Sequence, residues 1–281
     1  MQQKPEWLRI RHRHSPNLEA VEALLEAQNL NTVCREANCP NYLECFSKKT
    51  ATFMILGTNC TRNCRFCNVR FDAPVPIDPD EPQRIAEAVK ALGLRYVVIT
   101  SVTRDDLPDG GAEEFARVIH ALRRTVPDTV VEVLIPDFRG DLSALQVVID
   151  AKPTVIGHNM ETVASQYPDV RPEAVYARSL DVIARVAKVP DIHAKTGIML
   201  GLGETEAEVL ALFDDLRTVG CEFLTIGQYL APTKAHIPVL EYIPPSQFEA
   251  YKQAAYEKGF SFVASAPFVR SSYQAGAALG L

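Results

Sequence analysis

The sequence predicts an α/β fold: a partial, open (β/α)6 barrel of the TIM type, flanked by N- and C-terminal extensions. Three observations lead to this prediction. Six short apolar, β-branched runs alternate with helical patterns after residue 50, and such alternation is typical of βαβ units with a parallel sheet. Six units are fewer than the eight of a closed barrel. No Gly/Ser-rich or low-complexity segment interrupts the core, which indicates one barrel domain.

The elements follow one another in a regular order. Residues 18–30 have the apolar spacing of an amphipathic helix, whereas residues 31–45, with their Asn and Pro punctuation, predict a loop. Thr205 and Glu208 predict a capping box at the start of a helix. Strands are expected at 52–56, 96–100, 130–135, 154–158, 194–200 and 222–228, and helices at 82–92, 112–124, 141–151, 173–188, 205–219 and 246–258.

These elements divide the chain into three predicted parts. Residues 1–50 form an N-terminal extension, residues 51–260 form the barrel, and residues 261–281 form a C-terminal extension. The basic segment at 9–14 has two interpretations: a docking element for a protein partner, or the solvated edge of a helix.

Charge and hydropathy exclude several classes of protein. The net charge of −6 disfavours a general nucleic-acid-binding surface. No apolar run approaches the roughly 18 residues that a membrane span requires. The basic N-terminus is not followed by the apolar stretch of a secretory signal. We therefore expect a cytoplasmic protein that binds neither nucleic acid nor membrane, with the mature form of an organellar protein as the alternative.

The cysteines are the most informative residues of the chain. There are seven, and six of them lie between positions 34 and 67. An odd count in a long chain without an export signal favours reduced thiols over disulfides. Such crowding indicates that the thiolates share a metal or a cluster.

The segment Cys60-Thr-Arg-Asn-Cys64-Arg-Phe-Cys67 directly follows the first predicted strand. Three thiolates can hold three irons of a 4Fe–4S cluster and leave the fourth iron without a protein ligand. That iron can chelate the methionine part of S-adenosylmethionine, and an electron from the cluster can then release a 5′-deoxyadenosyl radical. A structural zinc site normally has four closed ligands, so three unevenly spaced cysteines fit zinc poorly.

A second triad precedes the first predicted strand. It consists of Cys34, Cys39 and Cys45, with Pro40 in the same segment. We interpret it as the ligand set of a second cluster. The alternative is that all six cysteines form a two-zinc or disulfide-linked module. Spacing by itself does not indicate what a second cluster does.

The two triads together resemble those of the lipoyl synthase family. The resemblance extends over nearly all of the chain from about residue 34. It includes the segments VVITSVTRDDLPDGGA (97–112), VLIPDFRG (133–140), HNMETV (158–163), KTGIMLGLGET (195–205), IGQYLAPT (226–233) and APFVRSSY (266–273). The C-x3-C-x2-C motif alone indicates only the radical S-adenosylmethionine superfamily, whereas the preceding triad and the terminal RSSY are more specific.

The resemblance implies a reaction and its cofactors. The family inserts sulfur at carbons 6 and 8 of an octanoyl group that is amide-linked to a lysine of a carrier protein. It implies two 4Fe–4S clusters: Cys60, Cys64 and Cys67 hold the one that binds S-adenosylmethionine, and an auxiliary cluster donates the sulfur. The auxiliary ligands implied by the resemblance are Cys34, Cys39, Cys45 and Ser272, the last being the second serine of RSSY.

The resemblance also implies the partners. These are octanoylated lipoyl carrier domains (2-oxoacid dehydrogenase E2 subunits and the glycine-cleavage H protein), an electron donor such as ferredoxin or flavodoxin, and an iron–sulfur cluster carrier. Two other functions stay open at this point. One is a biotin-synthase-like radical enzyme that inserts sulfur into a free small molecule. The other is a two-cluster electron carrier, which is disfavoured because carriers protect their clusters with complete ligand sets.

Several further residues are candidates for the S-adenosylmethionine pocket because they follow predicted strands, where barrel enzymes place their sites. Each of them also has an ordinary structural interpretation, such as a tight turn or surface packing. Arg270 and Tyr273 could position the cluster or substrate, and Cys221 is expected to pack as a small apolar residue. The pocket candidates are Thr100, Ser101, Asp105, Asn159, Gly201, Gly203 and Glu204.

Overall fold

The computed structural model describes residues 4–9, 15–48 and 50–281, so most of the basic segment at 9–14 lies outside the described residues. The helices are α1 (Pro16–Ala27), α2 (Val33–Glu36), α3 (Tyr42–Ser47), α4 (Glu81–Leu92), α5 (Ala112–Thr125), α6 (Leu142–Asp150), α7 (Tyr167–Val170), α8 (Tyr176–Val186), α9 (Glu206–Thr218) and α10 (Pro245–Glu257). The strands are β1 (Thr52–Ile55), β2 (Asn59–Cys60), β3 (Arg70–Phe71), β4 (Tyr96–Ser101), β5 (Val130–Leu134), β6 (Val155–Gly157), β7 (His193–Leu200), β8 (Phe223–Gln228) and β9 (Phe262–Ser265).

The main sheet has seven strands in the order β1-β4-β5-β6-β7-β8-β9, and β2 pairs with β3 in a separate two-stranded sheet. The spatial order of the seven strands is thus their order along the chain. A doubly wound sheet reverses its strand order at a switch point, whereas barrel folds add each strand beside the previous one. The parallel α/β architecture predicted from the sequence is confirmed.

The chain divides into two compact units, which we name by their strands. The β1–β5 unit comprises His12–Arg62, Asn68–Ile156 and Gln274–Leu281. In this unit β1 pairs in parallel with β4, and β4 pairs in parallel with β5. Helix α5 buries Phe115, Val118, Ile119 and Leu122, a spacing that places these side chains on one helical face.

The β7–β9 unit comprises Met1–Arg11, Asn63–Cys67 and Gly157–Tyr273. In this unit β7 pairs in parallel with β8, and β8 pairs in parallel with β9. All six residues of β8 are buried, as expected for a parallel strand covered on both faces. Helix α9 begins with the capping box that the sequence predicted: Thr205 accepts from the Glu208 N–H, and the Glu208 side chain accepts from the Thr205 N–H.

Two local predictions were incomplete. The segment predicted as a loop contains the short helices α2 and α3 on either side of Pro40. Thr32 caps α2 by accepting a hydrogen bond from the Arg35 N–H, a signal that the Asn and Pro punctuation obscured. The sequence also did not indicate β9, which has only four residues and is mostly half-buried. Among the described residues, no helix combines the length and the apolar character that crossing a membrane requires.

Candidate active site

The N-terminal triad lies on one compact segment of the β1–β5 unit. Cys34 is in α2, Cys45 is in α3, and Cys39 is in the connection between them. The Cys39 N–H donates to the Cys34 carbonyl (3.1 Å), and the Cys45 N–H donates to the Asn41 carbonyl (2.9 Å). The Cys45 carbonyl in turn accepts from the Thr50 N–H (2.8 Å). Backbone hydrogen bonds within the segment therefore help to bring its three cysteines together.

The thiols of this triad oppose one another's ionisation. Burial raises the pKa of Cys34 to about 11, and the charge of a Cys39 thiolate adds to the rise, while hydrogen bonding with Thr52 opposes it. Burial also raises the pKa of Cys45 to about 12, with further contributions from Cys34 and Cys39. Because a thiolate is the metal ligand, this group needs a nearby cation before it ionises at neutral pH.

Cys60 lies on β2 in the β1–β5 unit, at the start of the second triad. Its Sγ accepts hydrogen bonds from two backbone N–H groups, those of Thr103 (3.3 Å) and Arg62 (3.4 Å). Thr61 runs beside Thr103: its N–H and its hydroxyl both donate to the Thr103 carbonyl, each at 3.0 Å. The cysteine is thus held against the segment that follows β4. The two N–H groups orient the sulfur of Cys60.

Arg62 is a residue that the sequence analysis did not single out. Its side chain is buried and makes two hydrogen bonds to Asp105 (2.6 and 2.9 Å) and one to Asp137 (2.7 Å). Burial works against the charged guanidinium, but the hydrogen bonds to the two carboxylates outweigh it and raise the pKa of Arg62. The available signal was two Asp residues that follow consecutive strands, together with two Arg residues inside the C-x3-C-x2-C motif. Asp105, which the sequence predicted to lie in the cofactor pocket, pairs with Arg62 in the structure.

The remaining cysteines of this triad belong to the β7–β9 unit. The Cys67 N–H donates to the Cys64 carbonyl (3.0 Å), and the Cys67 carbonyl lies 3.0 Å from Nε2 of His236. Between them, the Arg65 N–H donates to the Val170 carbonyl (3.1 Å). The connections after β6 and β8 therefore fix the backbone of this part of the motif.

Two pocket candidates on β4 differ in their bonding. Thr100 is buried, and its hydroxyl donates to the Leu134 carbonyl (3.0 Å). The Ser101 hydroxyl oxygen is also buried, but it has no hydrogen-bond partner among the described residues. Buried hydroxyl groups are rarely left unpaired. Ser101 is therefore the better candidate of the two for a contact with a bound cofactor.

Asn159 follows β6 and belongs to a polar cluster in the β7–β9 unit. The Asn159 side-chain amide donates a hydrogen bond to the Glu161 carboxylate (3.0 Å), and the Asn159 backbone carbonyl accepts one from the Arg171 guanidinium (2.8 Å). Burial raises the pKa of Glu161, while the positive charges of Arg171 and Arg270 oppose the rise. Glu161 was not among the predicted site residues. It has a left-handed backbone (φ 65°), a conformation that sequence patterns do not reveal.

The predicted glycine turn connects β7 to α9. Glu204 closes it, because its carboxylate accepts from the N–H groups of Gly201 (2.5 Å) and Leu202 (2.9 Å). A Cβ on Gly201 would meet the Glu241 carbonyl oxygen at 2.3 Å, so only glycine fits there. The carboxylate of Glu204 thus has a structural role within the turn, and burial raises its pKa.

The terminal RSSY segment forms a turn, in which the Tyr273 N–H donates to the Arg270 carbonyl (2.9 Å). Ser271 and Ser272 are both half-buried within it. The Arg270 guanidinium donates to the Val269 carbonyl (2.7 Å). Cys221 is fully buried beside β8, as the sequence predicted for a packing residue.

The structure bears on the disulfide alternative for the six clustered cysteines. All seven cysteines are free thiols. No three His, Cys, Asp or Glu side chains among the described residues surround a point that could hold a single metal ion. Thiolates on one Zn²⁺ stand roughly 3.8 Å apart, given a Zn–S bond of about 2.3 Å and tetrahedral geometry. Ligands of a 4Fe–4S cluster bind separate irons and stand further apart. Each triad has three cysteines, which match the ligands of a cluster with one open iron, whereas a structural zinc site normally has four closed ligands.

Comparisons with known proteins agree with this chemistry. A family model described as the radical SAM superfamily matches residues 54–216. A lipoyl synthase from Alkaliphilus metalliredigens is 56% identical over 280 residues, which cover 99% of this chain and 97% of that protein. A lipoyl synthase from Caldicellulosiruptor saccharolyticus is 58% identical over 274 residues, covering 97% and 96%. The chain belongs to the lipoyl synthase family.

Lipoyl synthases are radical S-adenosylmethionine enzymes that convert protein-bound octanoyl groups to lipoyl groups by inserting sulfur, and they require 4Fe–4S clusters. The family membership confirms the enzyme class, the reaction and the cofactors that the sequence resemblance implied. It also establishes an octanoylated carrier protein as the substrate. A free small molecule and simple electron transfer, the two alternative functions, do not match this family.

Solved structures support the fold alone. Streptococcus suis SuiB, in a structure bound to S-adenosylmethionine, matches with a TM-score of 0.58 at 11% identity, covering 80% of this chain and 54% of SuiB. The chain therefore spans about half the length of that protein. Methylornithine synthase (PylB) matches with a TM-score of 0.50 at 13% identity, covering 92% of this chain and 85% of that one.

Proposed function

We propose that Cys60, Cys64 and Cys67 hold the 4Fe–4S cluster that binds S-adenosylmethionine in this lipoyl synthase family member. The environment of Cys60 is the observation that carries this assignment. Its sulfur accepts hydrogen bonds from two backbone N–H groups, which would orient it as a ligand. The spacing of the three cysteines leaves one iron of the cluster without a protein ligand, as S-adenosylmethionine binding requires.

We propose that Cys34, Cys39, Cys45 and Ser272 hold the auxiliary cluster. Burial and the neighbouring thiolates raise the pKa of Cys34 and Cys45, and a bound metal cluster would offset this rise. The assignment of Ser272 is based on the family resemblance of RSSY. A serine oxygen is a harder ligand than a thiolate, and it is replaceable on an iron of a sulfide cluster, which suits a cluster that gives up its sulfur.

The proposed pocket for S-adenosylmethionine contains seven residues with different expected contributions. Ser101 is expected to contact the cofactor, because its buried hydroxyl is otherwise unpaired. Thr100, Asp105 and Glu204 already have protein partners, so we expect them to shape the pocket. Asn159, Gly201 and Gly203 complete the proposed set, with backbone groups at the glycine turn available for contact.

When bound, the cluster and S-adenosylmethionine supply a 5′-deoxyadenosyl radical that removes hydrogen atoms from the octanoyl chain. Such a reaction is needed because carbons 6 and 8 are saturated and have no acidic proton for a general base. The chain's residues bind and orient these groups, as is usual in cofactor enzymes. In this proposal Ser101 orients S-adenosylmethionine, and the N–H groups of Arg62 and Thr103 orient the Cys60 ligand.

The finer partners remain proposals. We propose that the carriers are 2-oxoacid dehydrogenase E2 subunits and the glycine-cleavage H protein, that ferredoxin or flavodoxin supplies electrons, and that an iron–sulfur cluster carrier rebuilds the auxiliary cluster. We also propose a cytoplasmic location, which seven free thiols support. The division into an N-terminal extension, a barrel and a C-terminal extension at residues 50 and 260 likewise stays a proposal.

The decisive experiment follows sulfur from the auxiliary cluster. The chain is reconstituted anaerobically with iron and ³⁴S-sulfide, then incubated with S-adenosylmethionine, reductant and an octanoyl-lysine peptide. Mass spectrometry should find both inserted sulfurs labelled. The variant with Cys34, Cys39 and Cys45 replaced by Ala should still form deoxyadenosine, because its other triad is intact, but no thiolated peptide. Unlabelled product from the labelled enzyme would contradict the proposed sulfur source.

A further inference from the structure

Arg62 connects the Cys60 loop to the ends of two neighbouring strands. It lies between Cys60 and Cys64, and its guanidinium binds Asp105, which follows β4, and Asp137, which follows β5. The side chain of Arg62 is 5% exposed and that of Asp137 is 0% exposed. Arg62 and both carboxylates lie within the β1–β5 unit. Burying an Arg with two carboxylates carries a desolvation cost, which is offset only when each charge is paired and hydrogen-bonded.

The backbone beside Arg62 is fastened to the same segment. Asp105 donates its N–H to the Thr61 hydroxyl (3.0 Å), and that hydroxyl donates to the Thr103 carbonyl (3.0 Å). Residues 60–62 therefore run alongside residues 103–105. Arg62 and Asp105 are the pair in which two side chains bind each other between residues 60–62 and residues 103–105. This pairing therefore holds the two segments at a fixed spacing.

This spacing determines the hydrogen bonds that Cys60 receives. The Thr103 N–H reaches Sγ at 3.3 Å only while residues 103–105 stay beside the loop, and the Arg62 N–H reaches it at 3.4 Å from within the loop. Hydrogen bonds to cluster sulfurs are among the factors that set reduction potential. They favour the reduced state because it carries one more negative charge.

We propose that Arg62 is a positioning residue for Cys60, and that it keeps the reduction potential of the S-adenosylmethionine cluster high by holding two N–H groups against the cysteine sulfur. This inference rests on the proposed role of Cys60 as a cluster ligand. Charge alone does not account for the effect, because one guanidinium with two carboxylates has a net charge of −1. The geometry that Arg62 imposes is therefore the important factor.

Arg62→Lys separates geometry from charge. Lysine keeps the positive charge but has a single ammonium group, which cannot reproduce the planar fork that binds Asp105 twice and Asp137 once. The matched control is Arg84→Lys. Arg84 makes the same kind of two-point contact with Asp78 (2.7 and 3.4 Å) in the same unit, and it is not part of either triad.

The measurements use the full chain with both clusters reconstituted. Iron content, the electron paramagnetic resonance spectrum, the midpoint potential of the signal that responds to S-adenosylmethionine, and the KM for S-adenosylmethionine are compared. In Arg62→Lys we expect wild-type iron, a lower midpoint potential, at least a several-fold slower deoxyadenosine release and an unchanged KM. Arg84→Lys should match the wild type in all four measurements. A wild-type potential in Arg62→Lys, or a raised KM without a change in potential, overturns the proposal.

A second variant covers the case in which Arg62→Lys does not fold or loses iron. Asp105→Asn keeps the side-chain shape and leaves the Asp137 contact, so we expect a smaller shift of the potential in the same direction. A wild-type potential in fully loaded Asp105→Asn overturns the proposal. Cys60→Ala distinguishes this failure from failure of the ligand assignment, since full iron content and normal deoxyadenosine release in that variant would refute the role of Cys60 itself.

Discussion

The two cysteine triads are held in different ways, although each supplies three thiols. The Cys34–Cys39–Cys45 segment is folded by its own backbone hydrogen bonds, and burial and mutual repulsion raise the pKa of Cys34 and Cys45. Cys60 instead receives two N–H groups and lies in a loop that a buried Arg fastens to two strand ends. Burial therefore opposes ionisation of Cys34 and Cys45, whereas hydrogen bonds position the sulfur of Cys60.

This difference corresponds to what each cluster has to do. A cluster that is consumed as a sulfur source must be dismantled and rebuilt, so a ligand group that relaxes to neutral thiols after metal loss is suitable. A cluster that transfers electrons to S-adenosylmethionine must return unchanged after each turnover, so a preorganised ligand environment is suitable. If the proposed assignments hold, we expect Cys34, Cys39 and Cys45 to release iron more readily than Cys60, Cys64 and Cys67.

The largest effect is expected from removing the Cys60 triad. Replacing Cys60, Cys64 and Cys67 with Ala should lower the iron content from roughly eight to roughly four per chain. Deoxyadenosine and lipoyl product should both fall below detection, since the radical arises at this cluster. Iron analysis and mass spectrometry of anaerobically reconstituted protein measure both. Stoichiometric zinc with no iron uptake in protein isolated without oxygen would be the contradictory result.

The next effect concerns Ser272, the proposed non-cysteine ligand of the auxiliary cluster. Ser272→Ala should keep both clusters, because three thiolates still hold the auxiliary one. The rate of lipoyl formation should fall by about an order of magnitude or more, which corresponds to an increase of roughly 1.4 kcal/mol in the activation free energy of sulfur insertion. Deoxyadenosine formation should continue. Ser272→Cys should also impair turnover, because a thiolate is a softer and less easily displaced ligand for iron.

Ser271→Ala is the matched control for Ser272, since both serines are half-buried in the same turn. It should have much less effect on lipoyl formation, again measured by mass spectrometry of the peptide product. If Ser271→Ala is the damaging change and Ser272→Ala is silent, the two serines have been assigned in the wrong order. If neither changes the yield, the terminal turn supplies no ligand.

The sequence predicted the repeating architecture well because strand and helix patterns are local. Helix α5 was expected at 112–124 and lies at Ala112–Thr125, since its buried face repeats with helical spacing. Strand β9 was missed because four partly exposed residues carry little pattern. Helices α2 and α3 were missed because Asn and Pro are turn formers, and one capping Thr does not outweigh them.

The site was less predictable where its contacts join distant parts of the chain. The cysteines were evident because their spacing alone indicates clusters. Arg62 was not, because its function depends on Asp105 and Asp137, which lie 43 and 75 residues away. The role of Glu204 in its own turn also depends on backbone geometry that no motif displays. Pairings of this kind follow from the strand order and cannot be derived from any local pattern.

A further contrast between the two triads lies where the Cys60 loop begins. Leu56 follows β1 with a left-handed backbone (φ 68°), an unfavourable conformation for a residue with a side chain. Both of its backbone groups are held by buried side chains: its N–H donates to Glu81 (3.0 Å), and its carbonyl accepts from the Arg104 guanidinium (3.2 Å). We therefore expect the charge of Glu81 to act on the backbone at the start of the Cys60 loop.

Burial raises the pKa of Glu81 to about 7, and the neighbouring Glu114 adds to the rise, while the Leu56 N–H opposes it. The folded state therefore binds this proton more tightly than the unfolded chain. The resulting stability is complete below the ordinary pKa of 4.5 and is lost as the pH rises through about 7. By linkage, the loss amounts to about 3 kcal/mol of unfolding free energy.

Glu81→Gln should remove this pH dependence with the smallest disturbance. The amide oxygen can still accept from the Leu56 N–H, and the side chain stays neutral at every pH. In denaturant unfolding of the metal-free, reduced chain, we expect the variant to match the wild type at pH 5. At pH 8 it should be more stable by up to about 3 kcal/mol. Glu87→Gln, on the exposed side of the same helix, should have the stability of the wild type at both pH values.

Parallel pH profiles of unfolding free energy for wild type and Glu81→Gln would show that the buried carboxyl does not destabilise the start of the Cys60 loop. A gain at pH 8 combined with full iron uptake would show instead that ionised Glu81 strains this loop without being needed for its ligand geometry.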